Sequence, residues 1–279
     1  MSAALPPDGG SRTLAPLERR LLEVVERREH GAYVVLAAED PDGPAPQPGQ
    51  FCMVAAAERW GAGADERPFL PRAFSVLRVE GERIELLLED VGPGTRRLCE
   101  LRPGDGLRLL GPLGRGFSAP PGDRRAILCG GGVGMAPLAM LQDALLAGGR
   151  DAVVLLGFRD AAHAAGAELL VRARVATDDG SAGRRGLVTE LLAEELARDP
   201  MAIVYGCGPP AMLEAVRALC ERLEIPAQLA LEAGMACGFG ACYGCVVPLR
   251  EGGNVRVCVD GPVFDAERLA SCLAPGEAA

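Results

Sequence analysis

Four cysteines near the end of the chain, Cys237, Cys242, Cys245 and Cys258, follow the spacing C-x4-C-x2-C-x12-C. Four thiolates can hold two irons bridged by two sulfides, and three ligands on one tight loop with a remote fourth is the plant-type [2Fe–2S] spacing. Gly238, Gly240 and Gly244 let such a loop take positive φ and turn backbone N–H groups towards the sulfurs. A four-thiolate zinc site is the alternative, although zinc ribbons usually pair two short knuckles. The other six of the ten cysteines, Cys52, Cys99, Cys129, Cys207, Cys220 and Cys272, lie among apolar neighbours and read as inert buried side chains.

A second chemical signal is the run Gly130-Gly131-Gly132-Val133-Gly134-Met135-Ala136-Pro137, which follows the apolar stretch Ala126–Cys129. A Gly-rich turn that leaves a buried strand and enters a helix brings backbone close to a pyrophosphate, and the helix N-terminus favours its charge. Pro137 suits a first helical turn. The run is not G-x-G-x-x-G, because the third position is Met135 counted from Gly130 and Pro137 counted from Gly132. Two more turns, Thr177–Ser181 and Gly206-Cys207-Gly208-Pro209, fall where other strands of a parallel sheet would end, the place where open α/β sheets bind ligands. A third signal is Arg72-Ala73-Phe74-Ser75. There an Arg can pair with a pyrophosphate, an aromatic can stack on a flavin ring and a hydroxyl can reach the ring nitrogen. The turns Pro48–Phe51 and Gly92–Thr95 flank it.

The elements that must position these residues fall into three blocks. From Leu17 to about Leu113, short β-prone runs at Ala32–Ala37, Phe51–Ala55, Phe74–Val79 and Ile84–Leu88 are separated by Pro/Gly punctuation, which predicts a small antiparallel barrel. From Arg124 to Glu232, apolar runs at Ala126–Cys129, Val153–Gly157, Arg174–Thr177, Ala202–Tyr205 and Gln228–Leu231 alternate with helical segments at Pro137–Leu146, Thr189–Ala197 and Pro210–Leu223. That alternation predicts a parallel α/β sheet. The Cys-rich remainder is too short to be held by a core of its own. The expected fold is multi-domain α+β: a tail over 1–16, an antiparallel flavin barrel over 17–118, a parallel α/β nicotinamide-nucleotide domain over 119–230 and a small [2Fe–2S] domain over 231–279.

Composition fits this outline. The 279 residues are 49% hydrophobic and 24% charged, the balance of a globular chain. A net charge of −9 argues against nucleic-acid binding. All 29 basic residues are Arg, which excludes a phosphate-loop lysine and a Schiff base. Two histidines, His30 and His163, leave little room for a histidine-based metal site or triad. No apolar run is long enough to span a membrane. Met1–Pro16 lacks the apolar stretch of a secretory signal, so the chain is expected to be cytoplasmic, where ligation is the better account of many cysteines than disulfides.

Taken in order, these motifs resemble the ferredoxin-NADP reductase superfamily and, more narrowly, the electron-transfer subunits of NAD-dependent (class 1B) dihydroorotate dehydrogenases. The resemblance runs from about Leu17 to Cys272. It is carried by Arg72–Ser75, Gly130–Leu138, Thr177–Ser181, Cys207–Pro209 and Leu231–Cys245, and by the exit Cys258-Val-Asp-Gly-Pro-Val-Phe264. The family usually shows Arg-Pro-aliphatic-Ser at the flavin, where this chain has Arg72-Ala73-Phe74-Ser75. The resemblance implies FAD at Arg72, Ala73, Phe74, Ser75, Leu87, Leu88, Glu89, Gly94 and Thr95. It implies NAD at Gly130, Gly131, Gly132, Gly134, Pro137, Asp178, Cys207, Gly208 and Pro209, and the cluster on the four cysteines. It also implies a partner, an FMN-containing dihydroorotate dehydrogenase catalytic subunit with two copies of each chain. Electrons would run from dihydroorotate through the cluster and FAD to NAD+, in pyrimidine (UMP) biosynthesis. A reductase subunit serving a hydrogenase or a sulfite reductase is the alternative. Asp178 or Asp179 would favour NAD by accepting from the ribose 2′-hydroxyl, whereas Arg184 and Arg185 could pair with a 2′-phosphate. Phe239, Tyr243, Val263 and Phe264 are expected at the interface with the partner. The stretch 58–68 has no assigned role.

Overall fold

The computed structural model describes Leu5, residues 19–61 and residues 68–272. Apart from Leu5, the expected tail over 1–16 lies outside the described residues, as do residues 62–67 of the 58–68 stretch.

Six antiparallel strands close the barrel. They are β1 (Arg20–His30), β2 (Tyr33–Glu39), β3 (Phe51–Ala56), β4 (Arg72–Glu80), β5 (Arg83–Glu89) and, after the short helix α1 (Pro93–Cys99), β6 (Gly106–Leu113). Their closed order is β1-β2-β5-β4-β3-β6. Alternation along β2 and β5 explains what the barrel does. Val34, Leu36 and Ala38, with Ile84, Leu86 and Leu88, fill its interior. The intervening Tyr33, Val35 and Leu87 face outwards, but into a second core shared with the α/β sheet. Strands buried on both faces read as continuous apolar runs, which is why both were visible in the sequence.

The two strands the sequence did not reveal have different reasons. In β1 only Leu22 and Val24 are buried, and its charges are matched across strands: Arg20 pairs with Asp40 at 2.7 Å and Arg28 with Glu85 at 2.9 Å. In β6, Gly111 and Pro112 carry the signature of a turn.

The α/β region runs β7 (Arg125–Gly131), α2 (Met135–Ala147), β8 (Ala152–Phe158), α3 (Ala161–Ala164), β9 (Ala173–Thr177), β10 (Arg184–Arg185), α4 (Val188–Arg198), β11 (Ala202–Cys207), α5 (Pro210–Arg222) and β12 (Ala227–Ala230). The cluster segment adds a hairpin of β13 (Val246–Pro248) and β14 (Asn254–Arg256), then α6 (Val257–Asp260) and β15 (Val263–Asp265). The main sheet has the order β10-β9-β8-β7-β11-β12-β15. It is parallel except for β15, which pairs antiparallel with β12, Phe264 opposite Leu229. The order reverses between β7 and β11, so the switch point lies at the ends of those two strands.

Val263 and Phe264 are therefore sheet residues, 8% and 3% exposed, and not the interface aromatics and aliphatics the sequence suggested. The segment's apolar residues join a core with Phe51, Met53 and Leu113 of the barrel side and with α5. A segment too short for its own core is stabilised by sharing one.

Two bridges fix the barrel on the sheet. Arg78 of β4 donates to Asp143 of α2 and to the Leu169 carbonyl, both at 2.7 Å. The buried Tyr205 hydroxyl donates to the Ser118 carbonyl at 3.0 Å, and its ring meets Phe117 edge-on at 5.6 Å. Replacing Tyr205 by Phe should remove that one hydrogen bond and leave the packing, so the unfolding midpoint in urea should fall by the equivalent of about 1 kcal/mol. An unchanged midpoint would show that the hydroxyl contributes nothing to the junction.

Candidate functional site

Two cavities flank the switch point. The first, about 250 Å³, lies between β3/β4 of the barrel and the ends of β11 and β12. Arg72, Ala73, Phe74, Ser75, Leu87 and Thr95 line its barrel side, and Cys207 and Ala230–Ala233 line the other. Arg72 donates to the Leu70 carbonyl at 2.6 Å and lies 5.8 Å over the Trp60 ring. Gly94 does not line the cavity. A Cβ there would sit 2.6 Å from the Arg72 guanidinium, so glycine leaves room for the arginine. The Thr95 hydroxyl accepts from the Val91 and Gly92 N–H groups at 2.9 and 3.0 Å and shapes the turn. The Leu88 side chain points into the barrel core. Glu89 leaves this cavity altogether and reaches the second one.

The second cavity, about 370 Å³, is lined by Gly131, Gly132, Asp178 and Pro209 of the expected nucleotide set. Gly130, Gly134 and Pro137 shape it from behind. Gly130 packs under Leu156 and Leu138, Gly134 rests on the Cys207 carbonyl, and Pro137 is buried in the first turn of α2. Gly208 lies against the Gly131 nitrogen, where a Cβ would come within 2.9 Å. Of the four charges weighed for nucleotide choice, Asp178 alone faces the cavity. Asp179 accepts from the Ser181 hydroxyl and N–H at 2.6 and 2.9 Å, which holds its carboxyl below the usual range. Arg184 pairs with Glu194 and Glu190, and Arg185 does not line the cavity.

Tyr33, Glu89, Arg159 and His163 complete the lining. Tyr33, Arg159 and His163 are not among the residues expected here, and Glu89 was expected at the flavin. Arg159 follows β8 as Asp178 follows β9, so the strand-end rule applied to Asp178 would have found it. Nothing local marks Tyr33 and Glu89, which arrive from the barrel.

The four cysteines of the cluster loop meet as two pairs. The Cys237 and Cys242 sulfurs lie close enough to act on each other, as do those of Cys245 and Cys258, and Cys237 also acts on Cys258. Among the described residues no three side chains converge as ligands of a single ion do. Paired sulfurs suit two irons better than one zinc. Gly238 and Gly240 take positive φ as expected, Gly244 does not, and Tyr243 takes it instead at 56°. Burial pushes the Cys237 thiol up. The backbone N–H groups of Cys242, Phe239 and Ala241 and the Cys242 thiol outweigh it and bring the thiol down to about 6. A sulfur that accepts several N–H groups is prepared to be an anionic ligand. Burial and the neighbouring Cys245 sulfur push Cys258 up, and its N–H donates to that sulfur at 3.4 Å. Of the six scattered cysteines, Cys52, Cys129, Cys207, Cys220 and Cys272 are buried and Cys99 is partly so; burial pushes their thiols up. Cys207 differs from the rest in lining the first cavity.

Comparisons with known proteins agree with this arrangement. Residues 128–218 match an oxidoreductase NAD-binding domain, and residues 232–270 match the iron-sulfur cluster binding domain of dihydroorotate dehydrogenase B. The solved structure of an NADH-dependent reduced ferredoxin-NADP oxidoreductase superposes with a TM-score of 0.76 over 90% of both chains at 24% identity. The fold is therefore that of the ferredoxin-reductase class, with an iron–sulfur segment appended. Two relatives are more informative. One, from Caldanaerobacter subterraneus subsp. tengcongensis, is 39% identical over 81% of this chain and 88% of its own. The other, from Geobacillus kaustophilus, is 42% identical over 79% and 85%. Both are named dihydroorotate dehydrogenase B (NAD(+)), electron transfer subunit, and this chain belongs to that family.

One carboxyl at the first cavity was not foreseen. Glu232 lines it beside Cys207, and among the described residues no cation pairs with it. The residue as a whole is exposed, while burial around its carboxyl raises the pKa above the ordinary 4.5. An acid whose folded pKa is raised gives stability that is full below the unfolded value and is lost as pH rises through the folded one. Glu232→Gln should therefore melt at a higher temperature than the parent at about pH 8, and the difference should vanish below about pH 4. Equal melting temperatures at both ends would show the carboxyl to be fully solvated.

Proposed function

We propose that this chain carries electrons from dihydroorotate oxidation in a partner subunit to NAD+, as a component of pyrimidine biosynthesis. A relative named as an electron transfer subunit implies a catalytic partner, and we infer that the partner contains FMN, that two copies of each chain assemble, and that the complex works in the cytoplasm. No helix among the described residues is long and apolar enough to cross a membrane. In this reading Arg72, Ala73, Phe74, Ser75, Leu87 and Thr95 hold FAD, with Gly94 and Leu88 shaping its site. Gly130–Gly132, Gly134, Pro137, Asp178, Gly208 and Pro209 hold or shape the site of the nucleotide; Glu89 lines that cavity rather than the flavin's. Cys237, Cys242, Cys245 and Cys258 hold a [2Fe–2S] cluster. Bound flavin exchanges hydride with a nicotinamide and single electrons with such a cluster, so it belongs between the two.

The observation that carries this reading is the shared wall of the first cavity. Cys207 comes from the strand whose turn also lines the nucleotide cavity, and Met235 stands two residues before the first cluster ligand. NAD+ reduction by electrons that arrive through iron and sulfur takes up one proton per pair. That proton can come from solvent or from a side chain, and Glu232 is the one carboxyl among the described residues lining the first cavity.

Anaerobic mixing of the chain with an FMN-containing dihydroorotate dehydrogenase subunit should give dihydroorotate-dependent NAD+ reduction that neither supports alone. NADH oxidation with an artificial acceptor but no association with that subunit would redirect the assignment to another partner.

Two substitutions test the parts. Cys242→Ser should abolish iron and sulfide binding and transfer from the partner while flavin reduction by NADH persists; loss of that reduction with flavin still bound would refute the order of carriers. Tyr243 is 64% exposed, beside Phe239 at 39%, and lies 4.8 Å under the Arg256 guanidinium. Tyr243→Asp keeps a residue type that tolerates positive φ but removes the aromatic surface, so affinity for the partner should fall by about tenfold or more. Unchanged affinity in a variant that retains its iron would place the interface elsewhere.

A further inference from the structure

The nucleotide cavity holds a cluster of charges that the Gly-rich turn and the strand ends do not account for. Among the described residues lining it, Arg159 is the one permanent cation. Its guanidinium is engaged. It donates to the Glu89 carboxylate of the barrel, and its Nε donates to His163 Nε2 at 2.8 Å. His163 Nδ1 lies 2.6 Å from the Asp160 carboxylate and Nε2 lies 3.3 Å from Glu89, so the ring sits between the two carboxylates. The Tyr33 ring meets this imidazole edge-on at 5.6 Å. The Tyr33 hydroxyl is buried without a hydrogen-bond partner and lies 3.9 Å from where a Gly132 side chain would begin. An orphaned buried donor thus looks onto the turn that would carry a ligand's phosphates, and the nearest cation is held by a carboxylate from the other domain.

This geometry has an electrostatic consequence. A dinucleotide brings two negative charges on its diphosphate. Carboxylate and phosphate compete for the same face of a guanidinium, because both suit its fork of donors. A diphosphate at the Gly-rich turn would meet Glu89 as a like charge and Arg159 as a partner already taken. We propose that Arg159 is the cation that receives the nucleotide's diphosphate, and that Glu89, reaching across from the barrel, is a built-in competitor which the diphosphate displaces. Tyr33 then gains the acceptor it lacks. The proposal rests on the nucleotide reading of this cavity and adds to it the residues that set affinity.

Calorimetric titration of the flavin- and cluster-loaded protein tests it without turnover. The probes are ADP-ribose, which carries the diphosphate but no redox group, and adenosine, which carries no phosphate. Glu89→Gln should bind ADP-ribose roughly threefold more tightly, the scale of a partly exposed ion pair. Arg159→Gln should bind it about tenfold more weakly. In the Arg159→Gln background the gain from Glu89→Gln should shrink, since no guanidinium is left to withhold and only like-charge repulsion is relieved, and Tyr33→Phe should bind it more weakly than the parent. Adenosine should bind equally to all. Unchanged or weaker ADP-ribose binding by Glu89→Gln, or unchanged binding by Arg159→Gln, would overturn the proposal. If the unaltered protein bound neither probe nor NAD+, the nucleotide reading of the cavity would itself fall, a result distinct from a failed competition.

Discussion

Two turns lie backbone to backbone at the switch point of the sheet, and the placement of both cavities depends on that contact. Gly134 rests on the Cys207 carbonyl and Gly208 on the Gly131 nitrogen. A side chain at Gly134 or Gly208 would run into that backbone and push the ends of β7 and β11 apart. Held together, the turns divide the space above the sheet. Gly131 and Pro209 face one cavity, while Cys207 and the start of α2 face the other. Two sites that must exchange electrons are thereby separated by little more than a strand end. The barrel closes both from the far side, because β2 and β5 send alternate residues out of their own core and into that of the sheet.

What the sequence disclosed divides along the same line. The four cysteines were legible as a set because three of them lie on one loop, so chemistry and spacing sit together in the chain. The Gly-rich turn and Asp178 were legible because a parallel sheet binds at its strand ends wherever those ends occur. The charges around Arg159 were not, since Glu89 and Tyr33 belong to strands that precede it by seventy residues or more and meet it only after the barrel docks. Phe264 illustrates the converse. An aromatic following a cluster ligand can face a partner or a core, and the choice depends on pairing with β12, which no local pattern encodes. At Gly244 the expectation of positive φ was displaced by one residue, to Tyr243, whose ring is braced by Arg256.

The all-arginine composition also acquires a structural reason. Arginine presents a planar fork of donors that can satisfy two partners at once. Arg20 binds both Asp40 and the Gly111 carbonyl, Arg78 binds Asp143 and the Leu169 carbonyl, and Arg217 spans Glu214 and Glu221. Arg20 and Arg78 thereby tie separate segments together, and Arg217 braces α5 along its own length. At the cluster loop the balance is different, because the Cys237 sulfur receives backbone N–H groups rather than guanidinium groups. Backbone donors are fixed by the fold and need no side chain to be ordered, so they can support an anionic centre on a partly exposed loop.

The four sulfurs are not equivalent, and this gives the cluster site a direction. Cys242 is exposed and Cys237 partly so, whereas Cys245 and Cys258 are both 2% exposed. The outer pair lies with Phe239 and Tyr243 on the open side. The inner pair leads through Cys258 to Pro262, which lines the first cavity. Were all four ligands buried, a partner would have no close approach; were all four exposed, the cavity wall would have no tie to them. A gradient of burial across one short segment meets both requirements, and that segment can sustain it because Val247, Val257 and Leu269 join the core of the α/β sheet rather than forming their own.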